Sequence, residues 1–123
     1  MKNVPGRKSL PIIDAAYNLA LEINQAVIKF PRHQRPGLGR RMEEAAFDLV
    51  AALVKARYLK AADPAKAALL IRASQALDTL RLLVRMSKHL RYLPPKRYED
   101  LARTMREVGR MLGGWQKSVG GNR

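Results

Sequence analysis

Apolar positions recur at alternating steps of three and four in four separate segments of the chain. The first holds Ala16, Ala20, Ile23, Val27 and Phe30. The second holds Leu38, Met42, Ala45, Leu49, Ala52, Ala56 and Leu59. The third holds Leu70, Ala73, Leu77, Leu80 and Val84, widened by Leu69, Ala76, Leu83 and Leu90. The fourth holds Tyr98, Leu101, Met105, Val108, Leu112 and Trp115. Such steps keep residues on one face of an α-helix, the face that needs burial. Small and large residues mix along each stripe, which suits the interlocking seams of a bundle.

The breaks between segments agree. Pro31 stops the first helix, because proline cannot continue one. Asp63-Pro64 is a cap followed by proline at the first helical position. Pro94-Pro95 separates the third and fourth segments. The pattern predicts helices near residues 10–30, 36–61, 64–92 and 95–117. Short links make neighbours antiparallel, so the expected architecture is all-α: an up-down-up-down four-helix bundle spanning residues 10–118. Residues 1–9 read as a flexible basic segment and 119–123 as a flexible tail.

Glycines interrupt the last helix. Gly109 and Gly113 lie four residues apart, and Gly114 precedes Trp115, the chain's one tryptophan. A glycine inside a helix costs about 1 kcal/mol relative to alanine. If the helix ends there, Gly113 is a C-terminal cap. If it continues, as the register through Trp115 and Lys117 favours, the glycines form a smooth patch for a neighbouring helix or subunit. Trp115 is then a core or interface anchor.

Charge changes the picture most. The 123 residues carry 24 Lys+Arg against 10 Asp+Glu, a net charge of +14. The excess is distributed: residues 1–80 hold 13 cations and 7 acids, residues 81–123 hold 11 and 3. A domain so positive repels itself unless polyanions or acidic partners are near. Nucleic acid is the leading partner class and an anionic membrane surface the second. No segment is an isolated amphipathic tail, and no apolar run approaches the roughly 18–20 residues of a membrane span. The absence of cysteine excludes disulfides and thiolate metal sites, and fits a cytoplasmic location.

The cations fall in stripes. With Tyr98 at heptad position a, Arg103, Arg110 and Lys117 occupy f and Arg106 occupies b, opposite the core. On the third helix Arg81, Arg85 and Lys88 follow one another at helical spacing, with Arg91 a turn further and only Asp78 nearby. Most charge runs are solvated faces, but such faces normally mix signs and these barely do. A third cluster lies in FPRHQRPGLGRR, residues 30–41, which brings Arg32, His33, Arg35, Arg40 and Arg41 to the first interhelix corner. Free N–H groups at a helix start favour an anion, and Gly37 and Gly39 would let one approach. The competing reading is a basic loop with glycines for turn geometry.

Catalytic chemistry is missing. His33 and His89 are the only histidines, and neither sits in an E-x-x-H pair that would ligate metal inside a bundle. There is no H-E-x-x-H, phosphate-binding G-x-x-x-x-G-K-[ST] or G-x-S-x-G. Ser9, Ser74 and Ser87 lack a histidine–carboxylate arrangement. No cofactor and no enzymatic activity are expected. Tyr58 beside Arg57 and Lys60, or Tyr92 beside Arg91, has the composition of a base-stacking platform. Packing at helix ends competes with that reading for both.

Three stretches carry a family resemblance. FPRHQRPGLGRRME resembles an F-P-R-x-x-R-x-x-L-G-x-R corner motif, RLLVRMSKHLRYLPPKRYED a third helix with its turn, and EVGRMLGGWQK a closing E-x-G-R-M-L-G-G-W motif. Together they are similar to Avd, the accessory variability determinant of diversity-generating retroelements. That family is related to four-helix bundles encoded in ribosomal RNA intervening sequences. Pro36-Gly37 departs from the usual corner residues. The resemblance implies a small basic bundle that assembles with itself as a pentameric ring or barrel. It implies binding to the element's reverse transcriptase and template RNA, and to cDNA, in support of mutagenic cDNA synthesis and retrohoming, without polymerase activity of its own. The binding candidates, not divided between RNA and protein, are the arginines and lysines of the three clusters.

Two other readings stay open. One is a general RNA-binding bundle of the ribosomal intervening-sequence type, with no reverse transcriptase partner. The other is a structural oligomer facing an acidic protein. A ring also suits apolar residues on a second edge: Ala46, Val50, Leu53 and Val54 on the second helix, and Leu69, Ala76 and Leu83 on the third.

Overall fold

The computed structural model describes residues 10–120; the expected flexible segment 1–9 and residues 121–123 lie outside the described residues. The described residues form four α-helices and no strand: α1 (Pro11–Ile28), α2 (Arg40–Arg57), α3 (Pro64–His89) and α4 (Pro95–Gly120). Each start has a local cause. Pro11, Pro64 and Pro95 take first-turn positions, where the missing N–H costs nothing. The Asp63 carboxylate accepts the Ala65 N–H at 2.9 Å and caps α3. Asp14 lies in the first turn of α1 and Glu43 in that of α2, where they complement the helix dipole.

Several helix ends differ from the pattern-based expectation: α1 ends at Ile28 and not at 30, α2 at Arg57 and not at 61, and α3 at His89 and not at 92. The second helix begins as regular α-helix at Arg40, not 36. Residues Arg32–Gln34 form a 3₁₀ turn and Arg35–Gly39 a wider π turn that runs straight into α2. Pro36 has no N–H to give, which fits a locally widened backbone. The last helix continues through Gly113 and Gly114, as its register favours, and runs on to Gly120, so Val119 and Gly120, expected in the tail, are helical.

The end of α3 is unusual. Tyr92 N–H donates to the Ser87 carbonyl at 2.9 Å and Arg91 N–H to the Lys88 carbonyl at 2.9 Å. This pairing closes a helix through a left-handed residue, normally glycine. Here that residue is Arg91, with φ 66°.

α2 packs on α1 and α3, and α4 packs on α3 and α1, with α2–α3 the most extensive contact. Leu19, Ile23, Leu49, Leu53, Leu70, Leu80, Leu101 and Val108 are fully buried between them. Truncating any of these leucines to alanine is expected to cost about 2–5 kcal/mol. Phe30 closes one end of the core and meets the Tyr92 ring at 5.5 Å. The buried Ser87 hydroxyl, at the same end, donates to the Leu83 carbonyl at 2.8 Å and lies 3.2 Å from Met42 Sδ. At the opposite end Leu10, Ile12, Met111 and Trp115 line a cleft of about 450 Å³.

Two glycines are explained by close approach. A Cβ at Gly39 would stand 2.6 Å from Val27 Cγ1, so glycine lets the start of α2 lie against α1. A Cβ at Gly109 would collide with the Arg81 guanidinium. Gly113 and Gly114 have nothing within 4 Å of that position.

The apolar second edge needs correction. Ala46 and Leu53 belong to the buried core, and Val50, Leu69, Ala76 and Leu83 pack against it half-buried, while Val54 is exposed as expected of such an edge. Leu90, expected on the core stripe, is 48% exposed.

Candidate nucleic-acid interface

Positive charge is divided unequally among the helices. α1 and α2 carry four Lys/Arg and five Asp/Glu; α3 and α4 carry eleven and four. The basic face is therefore the α3–α4 side of the bundle. Exposed cations repeat along it because both helices turn their leucine stripes inward and leave the intervening positions to solvent.

On α4, Arg103, Arg106, Arg110 and Lys117 are all exposed. Arg103 is partly neutralised, since its Nη2 lies 3.2 Å from Asp100 Oδ1. Lys96 Nζ holds the same oxygen at 3.2 Å. The hydrogen bond from Lys96 keeps the Asp100 carboxyl below the usual carboxylate range, with attraction from Lys96 and Arg103 adding to it. Arg106, Arg110 and Lys117 have no hydrogen-bond or ion-pair partner among the described residues. They rise along the helix by about 6 Å and then about 10 Å.

The α3 stripe is not one uniform surface. Arg81 turns toward α4: its Nη1 pairs with Asp78 at 2.9 Å and its Nη2 reaches the Met105 carbonyl at 3.5 Å. Lys88 Nζ sits 4.5 Å from the Tyr98 ring centre, tying the end of α3 to the start of α4. Arg85 and Arg91 are exposed and have no such partner among the described residues. The structure thus separates clamps (Arg81, Lys88) from projecting cations (Arg85, Arg91).

The corner differs from its anion-binding expectation. Arg35 Nε donates to the Phe30 carbonyl at 3.2 Å and braces the turn. Gly39 is buried under Val27 and offers no approach to an anion. The N–H at Arg40 already donates to the Arg35 carbonyl, so α2 has no free start. Arg40 lies 3.9 Å from Glu44, while Arg32 and Arg41 are exposed. Gly37, the other glycine of the corner, is exposed, with nothing within 4 Å of the position a Cβ would take.

The aromatic candidates divide as well. Tyr92 packs on Phe30. Tyr58 is 71% exposed, with the Arg57 guanidinium 5.4 Å from its ring centre. Trp115 is half-buried against the core under Lys66 Nζ, 5.4 Å from its ring centre. Among the described residues, no group of three or more His, Asp or Glu is placed to hold a metal ion, and no helix is long and apolar enough to cross a membrane.

All three stretches that carried the resemblance, the corner, the end of α3 with its turn and the glycine-rich end of α4, fall within residues 12–119, which match a family model described as bAvd-like. The chain belongs to the bAvd-like family. Among curated proteins none matches it.

One feature of this bAvd-like chain was missed at the level of sequence. Tyr17, Leu21, Phe47 and Val50 line an open apolar groove between α1 and α2. Phe47 is 56% exposed. The signal was available: Phe47 falls two positions from both Ala45 and Leu49, on the side of the helix away from their stripe.

Proposed function

We propose that this protein is a non-catalytic accessory subunit of a diversity-generating retroelement, acting in the cytoplasm. It binds nucleic-acid backbone through the α3–α4 face and brings template RNA, or the cDNA made from it, to the reverse transcriptase. The observation that carries the binding is the set of unpartnered, exposed cations Arg85, Arg106, Arg110 and Lys117 on that face. Membership of the bAvd-like family supports the accessory role and the polymerase partner. Contacts at the two ends of the bundle support an up-down-up-down course. Asn24, near the end of α1, bonds Glu43 at the start of α2 at 2.8 Å, and Lys66 at the start of α3 reaches the Leu59 carbonyl just past α2.

The protein assembles with itself, and five copies is the number that the resemblance to Avd implies. A ring repeats the basic face and multiplies weak phosphate contacts by avidity. Phosphate contacts carry little sequence information, so the polymerase and the template's own structure supply specificity.

Co-purification tests the reading. Immobilised protein is expected to retain both its element's reverse transcriptase and structured RNA. Charge reversal of Arg85, Arg106 and Arg110 is expected to remove RNA. Full RNA retention by that variant would overturn the assignment of the face, and RNA retention without polymerase would favour a general RNA-binding bundle.

A further inference from the structure

A cationic cavity of about 370 Å³ opens at the end of the bundle where α1 finishes and α4 begins. After the left-handed turn at Arg91, Tyr92 packs on Phe30, Leu93 is buried, and Pro94 leads into α4. With Ala26 of α1, Tyr92, Leu93 and Pro94 wall the cavity. Its charged lining is Lys29 from the end of α1 and Lys96, Arg97 and Asp100 from the start of α4. That is three cations and one acid, two net positive charges. Lys29, Lys96 and Arg97 belong to none of the three clusters read from the sequence. Asp100 is already held by Lys96 and Arg103, both at 3.2 Å. The side chains of Lys29 and Arg97 have no hydrogen-bond or ion-pair partner among the described residues. Lys29 is exposed, but Arg97 is half-buried. A guanidinium withdrawn from water is normally compensated by a paired acceptor, and here the cavity stands in the acceptor's place.

We infer that this cavity binds the phosphate monoester of a nucleotide, with Arg97 and Lys29 as its ligands. A guanidinium presents paired N–H donors that match two phosphate oxygens, and a lysine adds a point charge. Charge decides which kind of phosphate fits. A monoester carries about two negative charges near neutral pH and matches the lining, whereas a backbone phosphodiester carries one. The cavity's size falls in the range of small-ligand sites. Its wall of Ala26, Leu93 and Pro94 beside Tyr92 gives the attached sugar and base an apolar surface. Two sources share this chemistry: the phosphorylated end of a strand and a free mononucleotide. The strand source rests on the nucleic-acid binding proposed above; the phosphate chemistry does not. Arg97 precedes Arg106, the first unpartnered cation of the α4 row, by about 14 Å along the helix, so the cavity is a site separate from that row.

Fluorescence anisotropy with single-stranded RNA of one sequence, carrying either a 5′-phosphate or a 5′-hydroxyl, tests the strand source. Wild-type protein is expected to bind the phosphorylated strand about tenfold tighter, the gain of one charged hydrogen-bonded contact. Lys29→Ala, at an exposed position, is expected to lower that ratio. Lys29→Ala combined with Arg97→Gln is expected to bring it to about one, with helical circular dichroism unchanged. Arg110→Ala is expected to weaken both strands equally and keep the ratio. Adenosine monophosphate and adenosine, followed by NMR, test the free source: the monophosphate is expected to shift the amide signals of Tyr92, Leu93 and Arg97, and adenosine to leave them. Monophosphate binding without a preference between the strands would assign the cavity to free nucleotides. Failure of both strands to bind, with monophosphate binding intact, would overturn the nucleic-acid reading and leave the cavity's chemistry standing. Equal treatment of phosphorylated and unphosphorylated ligands in both assays would overturn the inference. So would a strand preference that survives in the double variant, which would put the phosphate elsewhere.

Discussion

The guanidinium of Arg81 lies on the backbone of α4 at Gly109, in space that a methyl group at 109 would fill. Arg81 bonds Asp78 on its own helix and the Met105 carbonyl across the interface. One arginine of the basic stripe is therefore spent on joining α3 to α4, and one glycine of the closing motif exists to admit it. A double-mutant cycle measures the link. Gly109→Ala alone is expected to be near neutral, because a helix-propensity gain of about 1 kcal/mol offsets displacement of Arg81. In an Arg81→Ala background the same change is expected to stabilise by about 1 kcal/mol. Equal effects in both backgrounds would show that the two residues are not coupled.

The other glycines sort by what stands beside them. Gly39→Ala sets a methyl 2.6 Å from Val27 Cγ1, a stiff core side chain. Overpacking costs typically about 1–3 kcal/mol, which outweighs the propensity gain. A lowered melting temperature is expected, with recovery in a Val27→Ala partner. Gly113→Ala and Gly114→Ala meet open space. Each is expected to stabilise the isolated chain by about 0.5–1 kcal/mol. Weaker assembly in these variants would place the glycine patch in a subunit contact.

Arg91 occupies a left-handed position where glycine is at ease, at φ 66°. The conformation costs a side-chain residue about 1–2 kcal/mol. Arg91→Gly is expected to raise thermal stability and, by removing an exposed cation, to weaken RNA binding. Gain in both properties would show that Arg91 has no part in binding.

Asp100 shields two cations, Lys96 and Arg103. Asp100→Asn is expected to release both, tightening RNA binding at low salt and steepening its salt dependence. The pH dependence has a definite sign. Because the folded carboxyl titrates below its ordinary range, its stabilising contribution is complete above that range. It disappears as pH falls through the lowered value. Stability attributable to Asp100 is therefore flat through neutral pH, and a loss on raising pH would contradict the pairing.

Much of the architecture is legible because burial here follows helical period. Leu49, Leu77, Leu101 and Leu112 were placed on core stripes by spacing alone, and all are buried. The proline-marked starts at Pro64 and Pro95 are likewise local in origin. What spacing does not contain is the direction of a long side chain at a helix interface. Arg81, Arg85 and Lys88 read as one stripe, yet a neighbouring carbonyl and the Tyr98 ring capture two of them. Gly39 read as an opening for an anion; only the position of Val27, twelve residues earlier on another helix, shows that it is a packing residue. The apolar groove escaped notice for a related reason, since it needs two helices to define its walls.

The salt dependence of RNA affinity tests the central claim most directly. Replacing Arg106, Arg110 and Lys117 by alanine removes three exposed cations without touching the core. For single-stranded RNA, the slope of log affinity against log salt is expected to become shallower by about 2, with weaker binding at low salt. An unchanged slope and affinity would contradict the claim that the α4 face holds nucleic-acid backbone.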